Sequence, residues 1–107
     1  MTNRYKILPK ARADLEKIWL YGVNQWGLAQ AERYLAELEQ SFQFIAQNPE
    51  LCRERHEFTP PVRIYHQGRH LIIYHLNDDC SVIIRILHDR MNVGQHIESD
   101  SLFIQAG

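Results

Sequence analysis

The chain has 107 residues, 45% apolar and 23% charged, enough to bury one core without disulfide staples and too few for two. Twelve Lys and Arg against thirteen Asp and Glu leave a formal charge of −1, which excludes a protein that coats itself in phosphate contacts and leaves room only for local basic patches. No apolar run approaches the ~20 residues of a bilayer-spanning helix, and Cys52 and Cys80 stand in neither a CxxC nor a metal-like spacing, so buried, reduced thiols in a cytoplasmic protein are expected.

Arg4 to Leu8 reads as a short opening strand stopped by Pro9, which suits the first turn of a helix. Ala11, Leu15, Ile18, Trp19, Val23 and Trp26 then recur at three- and four-residue steps, the spacing of one helix face. This stripe places both tryptophans in the core. Gly27 interrupts the pattern, and Ala31, Leu35, Leu38, Phe42, Ile45 and Ala46 resume it until Asn48-Pro49 stops the second helix. So short a break predicts an antiparallel helical hairpin.

Residues 50–61 show no period and read as a loop. Three strand-like segments follow, Val62 to Tyr65, His70 to Leu76 and Ser81 to Leu87, with connections at residues 66–69 and 77–80 short enough to make a β-meander. A short helix is expected near Asn92 to Ile97. A single domain over residues 1–98 follows, with residues 99–107 as a flexible tail unless a partner captures Leu102, Phe103 and Ile104. The order β-α-α-β-β-β predicts a two-layer α+β sandwich, the helical hairpin on one face of a small antiparallel sheet and the other face partly open.

Acids cluster in the helical half (Asp14, Glu16, Glu32, Glu37, Glu39) and arginines in the second (Arg53, Arg55, Arg63, Arg69, Arg85, Arg90). Six histidines invite a metal reading, but the turn at Gly68 separates His66 from His70, His70 and His75 point to opposite faces of one strand, and no Cys or Glu completes a ligand shell. No metal or other cofactor is expected. No serine or cysteine elbow and no glycine-rich phosphate loop is present.

Arg63, His70, Tyr74, Arg85, His88 and Arg90 could in principle supply the base, acid and cation of RNA cleavage by 2′-hydroxyl attack. Strand parity puts Tyr74 with Ile72 and His70, and turns Arg85 away from Ile84 and Ile86 toward solvent or an ion pair. The strongest positional signal is the run Ser81 to Leu87, which ends abruptly at His88-Asp89-Arg90-Met91-Asn92. Side chains at a strand end are held by the sheet yet exposed.

Together Ala11-x-x-Asp14-Leu15-x-x-Ile18-x-x-Tyr21, Trp26-Gly27-x3-Ala31, Tyr34-Leu35-x-x-Leu38, Ile45-Ala46-x-x-Pro49, Val62-Arg63, His70-Leu71-Ile72-Ile73-Tyr74 and Ile84-Arg85-Ile86-Leu87-His88-x-x-Met91-Asn92 resemble the ParE toxins of type II toxin–antitoxin operons, in the RelE/ParE superfamily. The resemblance runs from about Tyr5 to Ile97. It implies the fold derived above, a cognate ParD-like antitoxin forming a hetero-oligomer with the toxin, and inhibition of DNA gyrase that blocks replication. The RelE branch instead cuts mRNA in the ribosome with lysines, arginines and a C-terminal tyrosine. Here the only lysines are Lys6, Lys10 and Lys17, and no tyrosine follows Tyr74. The resemblance therefore favours a non-catalytic gyrase poison over an mRNA endonuclease, with a homologue that has lost its activity as a third reading. With no long apolar run and a charge of −1, no membrane contact and no direct sequence-specific nucleic-acid binding are expected. Contacts to target or antitoxin are expected at Arg63, Tyr74, Arg85, His88, Arg90 and Met91, with no catalytic residue.

Overall fold

The computed structural model describes residues 4–99. The elements in chain order are β1 (Arg4–Ile7), α1 (Pro9–Trp26), α2 (Leu28–Gln47), β2 (Arg63–Gln67), β3 (His70–Asn77), β4 (Cys80–His88) and α3 (Val93–Ser99). Apart from Ser99, the expected flexible tail lies outside the described residues. Among those residues no helix is long and apolar enough to cross a membrane.

Local chemistry sets the boundaries. Leu8 takes an extended conformation ahead of Pro9 and becomes the N-cap of α1, so β1 ends one residue sooner than its composition predicts. Gly27, at φ 94°, closes α1 and opens α2, which gives the hairpin its sharp reversal. Two-residue turns join the meander strands, and each places its first residue, Gly68 or Asp78, at φ 59°. The Asn92 side chain accepts a hydrogen bond from Gln95 N–H at 3.1 Å, capping α3 at its start.

The sheet order is β1-β4-β3-β2, with β1 parallel to β4 and the other pairs antiparallel. On the helical face Ala11, Leu38, Phe42 and Ile45 pack against Ile72, Tyr74, Ile83 and Ile86, with Leu15, Ile18 and Leu35 around them. Leu38 is 0% exposed, as the helix phase requires. The opposite face is not open: Val62, Ile73, Ile84, Leu87 and Ile97 form a second cluster, sealed by Phe58, Ile64 and Val93. Its cover comes from α3 and the 50–61 loop, which return across the sheet. β4 is thus buried on both sides, which accounts for its near-continuous apolar run.

Trp26 departs from its expected place in the core. It is 48% exposed, at the last residue of α1, beyond the Ala11–Ile18 stretch that rests on the sheet. Both cysteines are free and only partly buried, Cys52 packing against the helical-face cluster.

Candidate functional site

β4 carries an irregularity that the strand pattern conceals. Ile73 pairs with Arg85 but Tyr74 with Ile83, leaving one extra residue in β4. Alternation is reset there, so Ile84 and Leu87 enter one cluster while Ile83 and Ile86 enter the other. Arg85 therefore does not turn away from Ile86; it reaches α1 on the same side. Its Nε and Nη2 donate to the two carboxylate oxygens of Asp14 at 2.8 and 3.0 Å, and Ile86 N–H donates to the same carboxylate at 2.9 Å. With its side chain only 14% exposed, Arg85 is part of the scaffold rather than of the surface.

Tyr74 is likewise withdrawn. It is 0% exposed, and its hydroxyl donates to the Pro49 carbonyl at 3.0 Å. Burial, with a smaller contribution from Cys52, pushes the phenol pKa upward. The Arg63 guanidinium donates to the Cys52 carbonyl, so both residues hold down the turn that follows α2. Parity places Tyr74 on the face observed, and its ring lies in the helical-side core rather than at the surface.

The remaining expected positions gather at the open end of β4. His88, Asp89, Arg90 and Met91 form a turn closed by Met91 N–H donating to the His88 carbonyl at 2.9 Å. Asp89 N–H donates to the Arg69 carbonyl at 2.9 Å, tying this turn to the β2–β3 hairpin. His88 Nδ1 lies 3.2 Å from both Arg90 N–H and Asp89 Oδ1. It accepts from the first only when Nδ1 carries no proton and donates to the second only when it does, so the two contacts exclude one another. Arg90 points to solvent, and Met91 is 46% exposed.

His88 and Met91 line a cleft of about 640 Å³ between this turn, the β2–β3 hairpin and the helical hairpin. Tyr21, Trp26 and Tyr34 form its helical wall, His70 its floor, and Lys17 and Arg69 its rim. The rings are in sequential contact: Tyr21 to Trp26 at 6.0 Å, Trp26 to Tyr34 at 6.4 Å, Tyr34 to His70 at 5.5 Å and His70 to His88 at 5.6 Å. The Tyr34 hydroxyl sits 2.6 Å from His70 Nδ1 and 3.2 Å from the Gln67 carbonyl. A carbonyl only accepts, so satisfying both contacts has the Tyr34 hydroxyl donating to the Gln67 carbonyl and accepting from a protonated His70 Nδ1. Burial, then the neighbouring His88, lowers the His70 pKa below its ordinary 6.5, favouring the neutral ring. Burial also raises the Tyr34 phenol.

A second, shallower groove of about 540 Å³ runs between the helices beside β1, with Leu15, Trp19, Leu35 and Phe42 as its apolar bed and Glu32 and Glu39 on its edge. Among the described residues no group of three or more His, Cys, Asp or Glu side chains is placed to hold a metal ion. Of the six side chains expected at the surface, the fold brings His88 and Met91 together and leaves Arg90 beside them. Arg63, Tyr74 and Arg85 go to structural positions. The aromatic wall and Arg69 were missed: Trp26 reads as a core stripe residue, and Tyr21 and Tyr34 stand off the apolar stripes of their helices.

A family model for the ParE toxin of type II toxin–antitoxin systems, parDE, matches residues 5–93. The chain belongs to the ParE toxin family. It is 36% identical to Toxin ParE1 of Mycobacterium tuberculosis over 91% of this chain and all of that protein. It is 32% identical to Toxin ParE1 of Caulobacter vibrioides over 87% of this chain and 96% of that one. Toxin ParE of Escherichia coli is 30% identical over 83% of this chain and 87% of its own length. The ParE fold is seen also in a solved structure of the chromosomal ParDE TA system from P. aeruginosa, which superposes with a TM-score of 0.70 at 20% identity, covering 81% of this chain and 96% of that one.

Proposed function

We propose that this ParE toxin acts in the cytoplasm by binding DNA gyrase and stalling replication, and that a cognate ParD-like antitoxin holds it inactive as a hetero-oligomer. The family match over residues 5–93 carries this reading. The geometry supports a binding rather than a catalytic role for the meander residues. Of the six that could have assembled a nuclease centre, Tyr74 is sealed in the core, Arg85 is locked to Asp14 and Arg63 to the Cys52 carbonyl; His70 and His88 alone share ring contact. The groove beside β1, apolar with an acidic edge, suits an antitoxin segment that is amphipathic, basic-flanked and folds on binding. Arg90, Met91 and His88 form the surface proposed to meet the target.

The test is induction of the chain with and without the gene beside its own. Filamentation and a DNA-damage response, relieved by that gene, together with loss of supercoiling by purified gyrase, are the expected results. Codon-dependent mRNA cleavage with normal supercoiling would instead place the protein with the endonucleases.

A further inference from the structure

The cleft at the end of β4 holds a combination that antitoxin neutralisation does not explain. Its wall is a run of aromatic rings in edge contact, and its outer members remain open: Tyr21 is 61% exposed and Trp26 48%. Single exposed aromatics are common, but two beside a cleft lined by two histidines form a surface with a preference for flat, π-rich groups. Lys17 and Arg69, both exposed, stand at its rim and make no ion pair with a described residue. Of the acids nearby, Asp14 is bonded to Arg85, Asp89 lies 3.6 and 3.2 Å from the His66 and His88 rings, and Glu37 acts on the Tyr34 phenol from α2. At about 640 Å³ the space falls in the usual range for small-molecule sites. The floor is also fixed in place. Tyr34 is bonded to both Gln67 and His70, and Gly68 sits so close that a Cβ there would lie 2.8 Å from the Tyr34 oxygen.

A ligand fitting this site has a planar, stackable group at one end and negative charge at the other. We infer that the cleft binds a nucleotide, its base against Trp26 and Tyr21 and its phosphate between Arg69 and Lys17. The same chemistry is offered by a free mononucleotide and by one nucleotide of a single strand. The inference does not rest on gyrase as the target, so either can fail alone.

The full-length protein is titrated with AMP, with adenosine, with ribose 5-phosphate and with a 5′-phosphorylated pentanucleotide, following indole fluorescence and the amide and indole NMR signals. Saturable binding of AMP or the pentanucleotide is expected, with shifts at the Trp26 indole and at Gly68 and Arg69. Adenosine and ribose 5-phosphate should each bind about tenfold or more weakly, since each lacks half of the recognised chemistry. Binding of AMP alone identifies a free nucleotide; binding of the pentanucleotide, displaced by AMP or with no AMP binding at all, identifies a strand. Trp26→Ala and Arg69→Ala should each weaken binding about tenfold. Tyr21→Ala and Lys17→Ala serve if either fails to fold, and Arg53→Ala, on the distant loop, should change nothing. No saturable binding of either probe, or binding indifferent to the cleft variants, overturns the inference. So does the finding that the antitoxin shifts Trp26 and Arg69 while no nucleotide does, which would make the cleft a protein-docking surface.

Discussion

Asp14 and Arg85 lie 71 residues apart in the chain and meet as a two-pronged ion pair, with Asp14 9% and Arg85 14% exposed at the side chain. The pair exists because the extra residue in β4 rotates Arg85 and Ile86 N–H toward α1, and it fixes where α1 lies on the sheet. A charge buried this far is costly if its partner is removed. Asp14→Ala is expected to cost about 3 to 5 kcal/mol in urea unfolding. Asp14→Leu with Arg85→Met should recover much of that, leaving about 1 to 3 kcal/mol for the stranded Ile86 N–H. Equal losses in the single and double variants would mean that the pair contributes nothing beyond that hydrogen bond.

His70 and His75 give the fold an acid-sensitive component. Burial depresses both pKa values below the ordinary 6.5, aided at His70 by His88 and at His75 by Lys6. As pH falls through about 6.5 the unfolded chain takes up protons that the folded chain still refuses, so stability declines until the depressed folded pKa values are passed. Above 6.5 these two residues add no pH dependence. Urea midpoints should therefore drop as the pH is lowered through about 6.5 in the native protein and drop less in a His70→Gln/His75→Gln variant. Parallel profiles would assign the acid sensitivity to other groups.

The helices and meander were legible because apolar spacing is a local signal: Leu38 and Phe42 fall on the buried face that their phase predicts, and turns of Gly68-Arg69 and Asp78-Asp79 join the strands. Arg85 was misplaced because period-two reasoning assumes an unbroken ladder, and nothing in Ile83-Ile84-Arg85-Ile86 marks the extra residue. Trp26 was misplaced because a stripe gives direction but not whether anything lies opposite. The cleft was unreadable for a third reason. Trp26, Tyr34, His70 and His88 come from α1, α2, β3 and β4, and only the topology brings their rings together.

Gly68 is held by two independent constraints, a φ of 59° and the Tyr34 hydroxyl where a side chain would go. Gly68→Ala should destabilise the protein by about 1 to 3 kcal/mol, the left-handed backbone accounting for roughly 1 to 2 kcal/mol. In a Tyr34→Phe background the penalty should shrink, because the atom at 2.8 Å is gone while the backbone cost stays. A thermodynamic cycle across the four proteins measures the difference; strict additivity would show that the hairpin shifts aside and the contact is not limiting.

The last prediction separates scaffold from surface among the residues that sequence placed together. Tyr74→Phe removes one hydroxyl that donates to the Pro49 carbonyl from inside the core, so it should cost about 0.5 to 1.5 kcal/mol of stability. Toxicity per folded molecule should not change, because no partner docking on this conformation can reach the ring. Met91→Ala and His88→Ala should behave in the opposite way. Both side chains stand at a strand end with tips in solvent, so stability should move by less than about 1 kcal/mol, while affinity for the target falls by about 1 to 3 kcal/mol if either is an anchor. Growth arrest on induction, normalised to folded protein by circular dichroism, reads one axis and urea unfolding the other. A folded Tyr74→Phe protein that no longer arrests growth would mean that target binding peels the residue 49–52 turn away and exposes the phenol. Arg63→Met, which frees the same turn at the Cys52 carbonyl, would then change toxicity in parallel.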